Sequence, residues 1–120
     1  MEDLVVRYTS DVFYIRFEDG SKAYLEYKID NDKMYLISTY TPPQHRGKGV
    51  AKKLVDKAVE VARERGLKII PICSYSVYYF IKNKDLREIL DEPYGKMSDE
   101  ELERYYRERL EEERSKESNK

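Results

Sequence analysis

Gln44-His45-Arg46-Gly47-Lys48-Gly49-Val50-Ala51 joins the end of a proline-stopped strand to the start of a strongly amphipathic segment. Two glycines one residue apart let the backbone turn sharply and bring several N–H groups towards one point. The helix that follows adds unpaired donors and the positive end of its dipole. A turn of this kind suits a pyrophosphate or similar anion. Arg46, Lys48, Lys52 and Lys53 put further positive charge at its mouth. The dinucleotide fingerprint G-x-G-x-x-G fails because Lys52 stands at the third glycine position, and no G-K-[ST] follows to make a P-loop.

Downstream, Val50, Leu54, Ala58, Val61 and Ala62 fall on one helical stripe, with Lys52, Lys53, Asp56, Lys57, Glu60, Arg63 and Glu64 on the wetter side. Gly66 marks the stop. Residues 67–72 (LKIIPI) read as a short apolar strand and run into Cys73. Ser74 is expected to cap a second helix carrying Tyr75, Val77, Tyr78, Tyr79, Phe80 and Ile81, with a helical turn over 85–90. Ser98 and Glu101 form a capping-box signature for a final helix, whose apolar positions are only Leu102, Tyr105, Tyr106 and Leu110. Residues 115–120 read as a disordered tail.

Upstream, residues 12–18 and 22–29 alternate between apolar and polar and residues 33–40 read as a third strand, separated by Asp19-Gly20 and Asp30-Asn31-Asp32. Connections this short predict an antiparallel meander, stopped by Thr41-Pro42-Pro43. The expected class is α+β: a meander, then helix, strand and helix, with an additional C-terminal helix. A body over 1–97 and a charged helix and tail over 98–120 make up the organisation.

The 120 residues, 40% hydrophobic and 39% charged, suit one core. Lys+Arg 23 against Asp+Glu 24 leaves a net charge of −1 and no global field for nucleic acid or an acidic membrane. The single Cys excludes an intrachain disulfide and, with one His, a thiolate- or imidazole-rich metal cage. No signal-peptide core or membrane-length apolar run is present, so a soluble cytoplasmic protein is expected.

In Q-x-x-G-x-G (Gln44, Gly47, Gly49), set between a meander and a helix, the chain resembles the GNAT superfamily of acetyl-CoA-dependent N-acetyltransferases. It is most similar to the small single-domain GNAT-like branch. Thr39, Pro42, Pro43, Arg46, Gly47, Gly49, Val50, Ala51, Leu54, Gly66, Pro71, Cys73 and Tyr79 match that branch in order, over roughly residues 12–86. The branch often has His where Ser38 stands and His-Pro where Asn83-Lys84 stands, so no imidazole role carries over.

The resemblance implies a GNAT-like acyl-CoA N-acyltransferase fold and acetyl-CoA as cosubstrate, with no metal. Gln44, His45, Arg46, Gly47, Lys48, Gly49, Val50 and Ala51 would hold the pyrophosphate. Leu36, Ser38 and Tyr40 would offer backbone partners to the pantetheine arm, in a gap between the third strand and residues 67–72. Cys73 and Tyr79 would line the acyl end. Cys73 is either buried filler or, with a thiol pKa lowered by the Ser74 helix, a nucleophile or proton donor. Tyr79, rather than Tyr78, is the candidate acid for the departing thiolate, against a plain core role. Glu26 is the candidate base or a solvated carboxylate. His45 is expected to be exposed.

The activity implied is transfer of acetyl to a primary amine, on a small molecule or a protein or peptide, by direct attack in a ternary complex. A non-enzymatic CoA or acyl-CoA binding module and a protein-interaction adaptor are the rival readings. Neither nucleic acid nor a membrane is expected as partner, and a homodimer is left open.

Overall fold

The structure is a computed structural model and describes residues 4–118. Among the described residues five strands lie in sequence order: β1 (Arg7–Tyr8), β2 (Val12–Arg16), β3 (Lys22–Asp30), β4 (Lys33–Tyr40) and β5 (Lys68–Pro71). Neighbours are antiparallel except β4 and β5, which run parallel. The parallel step follows from the crossover helix α1 (Val50–Glu64) between them. Helices α2 (Ser74–Lys82) and α3 (Asp99–Ser118) complete the fold, with short 3-10 turns at Pro43–His45, Lys84–Ile89 and Tyr94–Lys96.

The sheet buries one face. Phe13 and Ile15 on β2, Ala23, Leu25 and Tyr27 on β3, Met34 and Leu36 on β4 and Ile69 on β5 join the buried stripes of α1 and α2 in a single core. Alternation then turns Tyr14, Tyr24, Glu26 and Lys28 to the opposite face, which stays half-buried or exposed. The meander and the α1 stripe are as the sequence predicts.

Several boundaries differ. β1 went unread because two residues carry no alternation; it pairs through Arg7 with Tyr14 and Tyr8 with Phe13. The first predicted strand ends at Arg16, where Phe17 N–H bonds to Ser21 and begins the hairpin turn. The turn over 85–90 is a 3-10 helix from Lys84. α3 continues helically through Ser118, so the tail expected from residue 115 does not begin there; residues 119–120 lie outside the described residues.

α3 docks on α2, where the Tyr106 ring meets Tyr78 (5.9 Å between centroids), with Leu102 fully buried and Tyr105 half-buried on the same helix. Its capping box forms as read: Ser98 N–H donates to Glu101 Oε1 (3.0 Å) and Glu101 N–H to Ser98 Oγ (3.1 Å).

Candidate functional site

The turn between β4 and α1 opens onto a cleft of about 600 Å³. Thr39 to Thr41 form one wall, residues of the turn and the first residues of α1 another, and Tyr75 of α2 closes the side. Gly47 (φ +79°) and Gly49 (φ +76°) are both left-handed, where a side chain would be strained, and open space lies where their Cβ atoms would stand. Gly49 sits at the capping position of α1, and no side chain caps that helix. Lys53 N–H bonds to the Gly49 carbonyl (3.2 Å), and the N–H groups of residues 50–52 precede it. A helix entrance left uncapped by its own sequence, with Arg46 and Lys52 in the same wall, suits an anion.

The turn is held from behind. His45 is buried, stacks on Phe17 (3.6 Å between centroids, 9° between planes) and shares a 2.8 Å hydrogen bond with Asp19 Oδ2. Gln44 Nε2 donates to the same oxygen (3.3 Å). His45 is therefore a structural anchor rather than the exposed side chain expected. Its sequence gave no sign of this, because Asp19 lies 26 positions away. Hydrogen bonds from the Ser21 side chain and backbone, followed by those from His45 and Gln44, hold the Asp19 carboxyl well below the usual carboxylate range. Arg46 Nε donates to the Thr41 carbonyl (2.9 Å), fixing the base of the turn.

β4 and β5 part before the stretch of β4 that lines the cleft. Their pairing ends at Leu36 and Pro71. The Leu36 carbonyl then accepts both Ile72 N–H and Cys73 N–H (3.0 Å each), so β5 can follow β4 no further. Leu36 is fully buried and its carbonyl taken; the edge of β4 free of β5 starts after it. On the other side of β4 the register shifts: Glu26 faces Ser38 but Tyr27 faces Leu36, leaving Ile37 as a bulge. The bulge explains how Leu36 and Thr39, three apart, both face the helices.

The structure separates the candidate residues. Tyr40, His45, Arg46, Gly47, Gly49, Val50 and Ala51 line the cleft, whereas Leu36, Ser38, Gln44, Lys48, Cys73, Tyr79 and Glu26 are not in its wall. Cys73 is 3% exposed, and burial pushes its thiol up rather than down. The helix end expected to activate it is occupied: Glu113 of α3 accepts from Ser74 N–H (2.9 Å) and Ser74 Oγ (2.6 Å). Ser74 is thus not the cap of α2; Cys73 holds that position and Glu113 supplies the acceptor.

Tyr79 is 2% exposed and donates to Asp56 Oδ1 on α1 (2.6 Å). Burial, then the Asp56 contact, pushes its hydroxyl up. Glu26 and Ser38, picked out separately in the sequence, meet across the strands: Ser38 Oγ donates to Glu26 Oε1 (2.9 Å) on the exposed face. Tyr75, which the sequence placed on the second helix without a role, is half-buried in the cleft wall, and burial raises its hydroxyl too. Only its position one residue past the start of α2 could have singled it out. Among the described residues no three His, Cys, Asp or Glu side chains converge to hold a metal. No helix among them is long and apolar enough to cross a membrane.

A meander with a bulged fourth strand, a glycine-pivoted helix entrance and a fifth strand that parts from it define the GNAT class of fold. The family model described as GCN5-related N-acetyl-transferase matches residues 12–89, and the chain belongs to that family. The solution structure of a GCN5-like protein from Staphylococcus aureus, named as a candidate N-acetyltransferase, is similar at 29% identity and a TM-score of 0.58. That match covers 76% of this chain and 91% of the other. The family match ends before α3 begins.

Proposed function

We propose that the protein transfers acetyl from acetyl-CoA to a primary amine by direct attack in a ternary complex. The observation that carries this reading is the uncapped entrance of α1, with its two left-handed glycines, opening onto a cleft flanked by the free edge of β4. The N–H groups of that entrance would bind the pyrophosphate, helped by Arg46 and Lys52. The edge of β4 past Leu36 offers backbone groups to an extended amide-bearing arm. Acetyl-CoA supplies an activated acyl group as a thioester.

The amine nitrogen attacks the thioester carbonyl, the C–S bond breaks, and the thiolate must take a proton while the new ammonium loses one. Tyr75 is the better-placed proton donor, since it lines the cleft whereas the Tyr79 hydroxyl is committed to Asp56. Its raised pKa keeps it protonated at neutral pH. Glu26, exposed and beside Ser38, is the carboxylate available to an amine approaching from the open face of the sheet. Cys73 as a buried protonated thiol supports direct attack over an acyl-enzyme.

A CoA-binding module without turnover is the second reading, favoured by His45, the only imidazole, being tied to Asp19. Thermal shifts with acetyl-CoA, desulfo-CoA and ATP test the first step, a true site giving several degrees at saturating ligand. Release of CoA thiol with a panel of polyamines, amino acids and peptides tests the second. Binding with no acetylated product would leave the module reading in place.

A further inference from the structure

The face of the sheet turned away from the helices carries a row of aromatic rings. Tyr14, Tyr24 and Tyr40 are direct cross-strand partners on β2, β3 and β4. Tyr24 and Tyr40 rings lie 5.7 Å apart, and Tyr40 is 42% exposed. Across two strand spacings the row spans roughly 10 Å. α1 and α2 occupy the other face, since the buried residues of every core strand alternate with this row.

Cations surround it. Arg16 and Lys22 lie over the Tyr14 ring at 5.9 and 5.6 Å, Arg7 stands opposite Tyr14, and Lys28 follows on β3. Lys33 and Lys68 extend the row at the far edge, engaged with Asp91 and the Glu88 carbonyl. The acids on the same strands are Glu26, bonded to Ser38, and Asp30, opposite Lys33, with Glu18 in the adjoining turn. A net charge of −1 for the chain conceals this sorting, because the acids concentrate on α3.

We infer that this open face binds single-stranded nucleic acid, with unpaired bases stacking on Tyr24 and Tyr40 and phosphates meeting Lys28 and the Arg16 and Lys22 cations that cover Tyr14. Bases have a π face irrespective of sequence, so aromatic rings among cations bind a strand with little base preference. A duplex keeps its bases stacked on one another and offers only phosphates. A second copy of this chain brought face to face would set like charges together. The face adjoins the proposed transferase site through Tyr40 and Glu26, but its test stands apart from that reading because binding is measured without coenzyme.

The test is fluorescence anisotropy of the full chain with fluorescein-labelled oligothymidylate of about 12 nucleotides, alongside a duplex and heparin. At low salt the single strand should bind with a Kd of roughly 1–100 µM, at least about tenfold tighter than the duplex. Tyr24→Leu should weaken binding about tenfold. Lys22→Ala with Lys28→Ala, both exposed and safe for folding, should lower the salt slope by about 1.4. Circular dichroism and melting confirm that each variant folds. Absence of binding at about 100 µM would overturn the inference. So would equal affinity for duplex or heparin untouched by Tyr24→Leu, which marks a polyanion surface only. Light scattering showing a dimer that Tyr24→Leu dissolves would assign the face to self-association instead.

Discussion

The Glu113 carboxylate on α3 receives both the backbone N–H and the hydroxyl of Ser74 at the start of α2, at 2.9 and 2.6 Å. One turn and two turns earlier, Arg109 Nε donates to the Ile72 carbonyl (2.6 Å) and Tyr105 hydroxyl to the Pro71 carbonyl (2.7 Å). The spacing i, i+4, i+8 puts all three on one face of α3, so a helix outside the family match satisfies the end of β5 and the start of α2. Glu113→Ala should therefore cost about 1 kcal/mol, as loss of a helix cap does, lowering Tm by roughly 4 °C. Glu113→Gln should cost less, because an amide oxygen still accepts. An unchanged melting curve for Glu113→Ala would refute the capping role.

Gly47→Val forces a β-branched residue into a left-handed conformation, costing about 1–2 kcal/mol locally. Its Cβ meets nothing, so the fold should survive while the turn reorganises. The expected result is a cooperative melt with no stabilisation by acetyl-CoA. A shift equal to that of the native chain would place the pyrophosphate elsewhere.

Cys73 should be unreactive. With its pKa raised by burial, the thiol stays protonated at neutral pH, and iodoacetamide should label it only after unfolding. The sign of the linkage follows: its contribution to stability is fully present below the unfolded value of 9.0 and is lost as pH rises through the folded one. Cys73→Ala should retain substantial turnover. Complete loss of activity with coenzyme binding intact would restore the acyl-enzyme route.

Tyr75→Phe and Tyr79→Phe separate chemistry from packing. Loss of a proton donor lowers kcat by roughly 100-fold, and this is expected at Tyr75 with the melting temperature little changed. At Tyr79 the loss is the hydrogen bond to Asp56, costing about 1 kcal/mol of stability. The reverse pattern would return the acid role to Tyr79.

Asp19→Ala should loosen the cradle without touching it, by freeing Gln44 and His45. Affinity for acetyl-CoA should fall about three- to tenfold, measured by titration calorimetry. Because the folded pKa of Asp19 lies below its ordinary value of 3.8, its stabilising contribution is present above that value and is lost as pH falls below it. An acid unfolding midpoint identical in the native chain and the variant would deny Asp19 that contribution.

Apart from β1, the order of strands and helices was legible in the chain, as were the glycine-pivoted turn and the capping box at Ser98. They depend on neighbours a few residues apart: alternation for a pleated strand, a 3.6-residue stripe for α1, and two glycines where the backbone must turn left-handed. What the sequence could not fix is which polar groups meet across long separations. Asp19 with His45, Glu113 with Ser74 and Tyr79 with Asp56 lie 23 to 39 positions apart. Those contacts bury the imidazole that was expected to be exposed, occupy the helix start beside Cys73, and commit the Tyr79 hydroxyl to Asp56. Burial and partner choice are properties of the assembled layers, whereas turn and helix propensities are carried by the residues themselves.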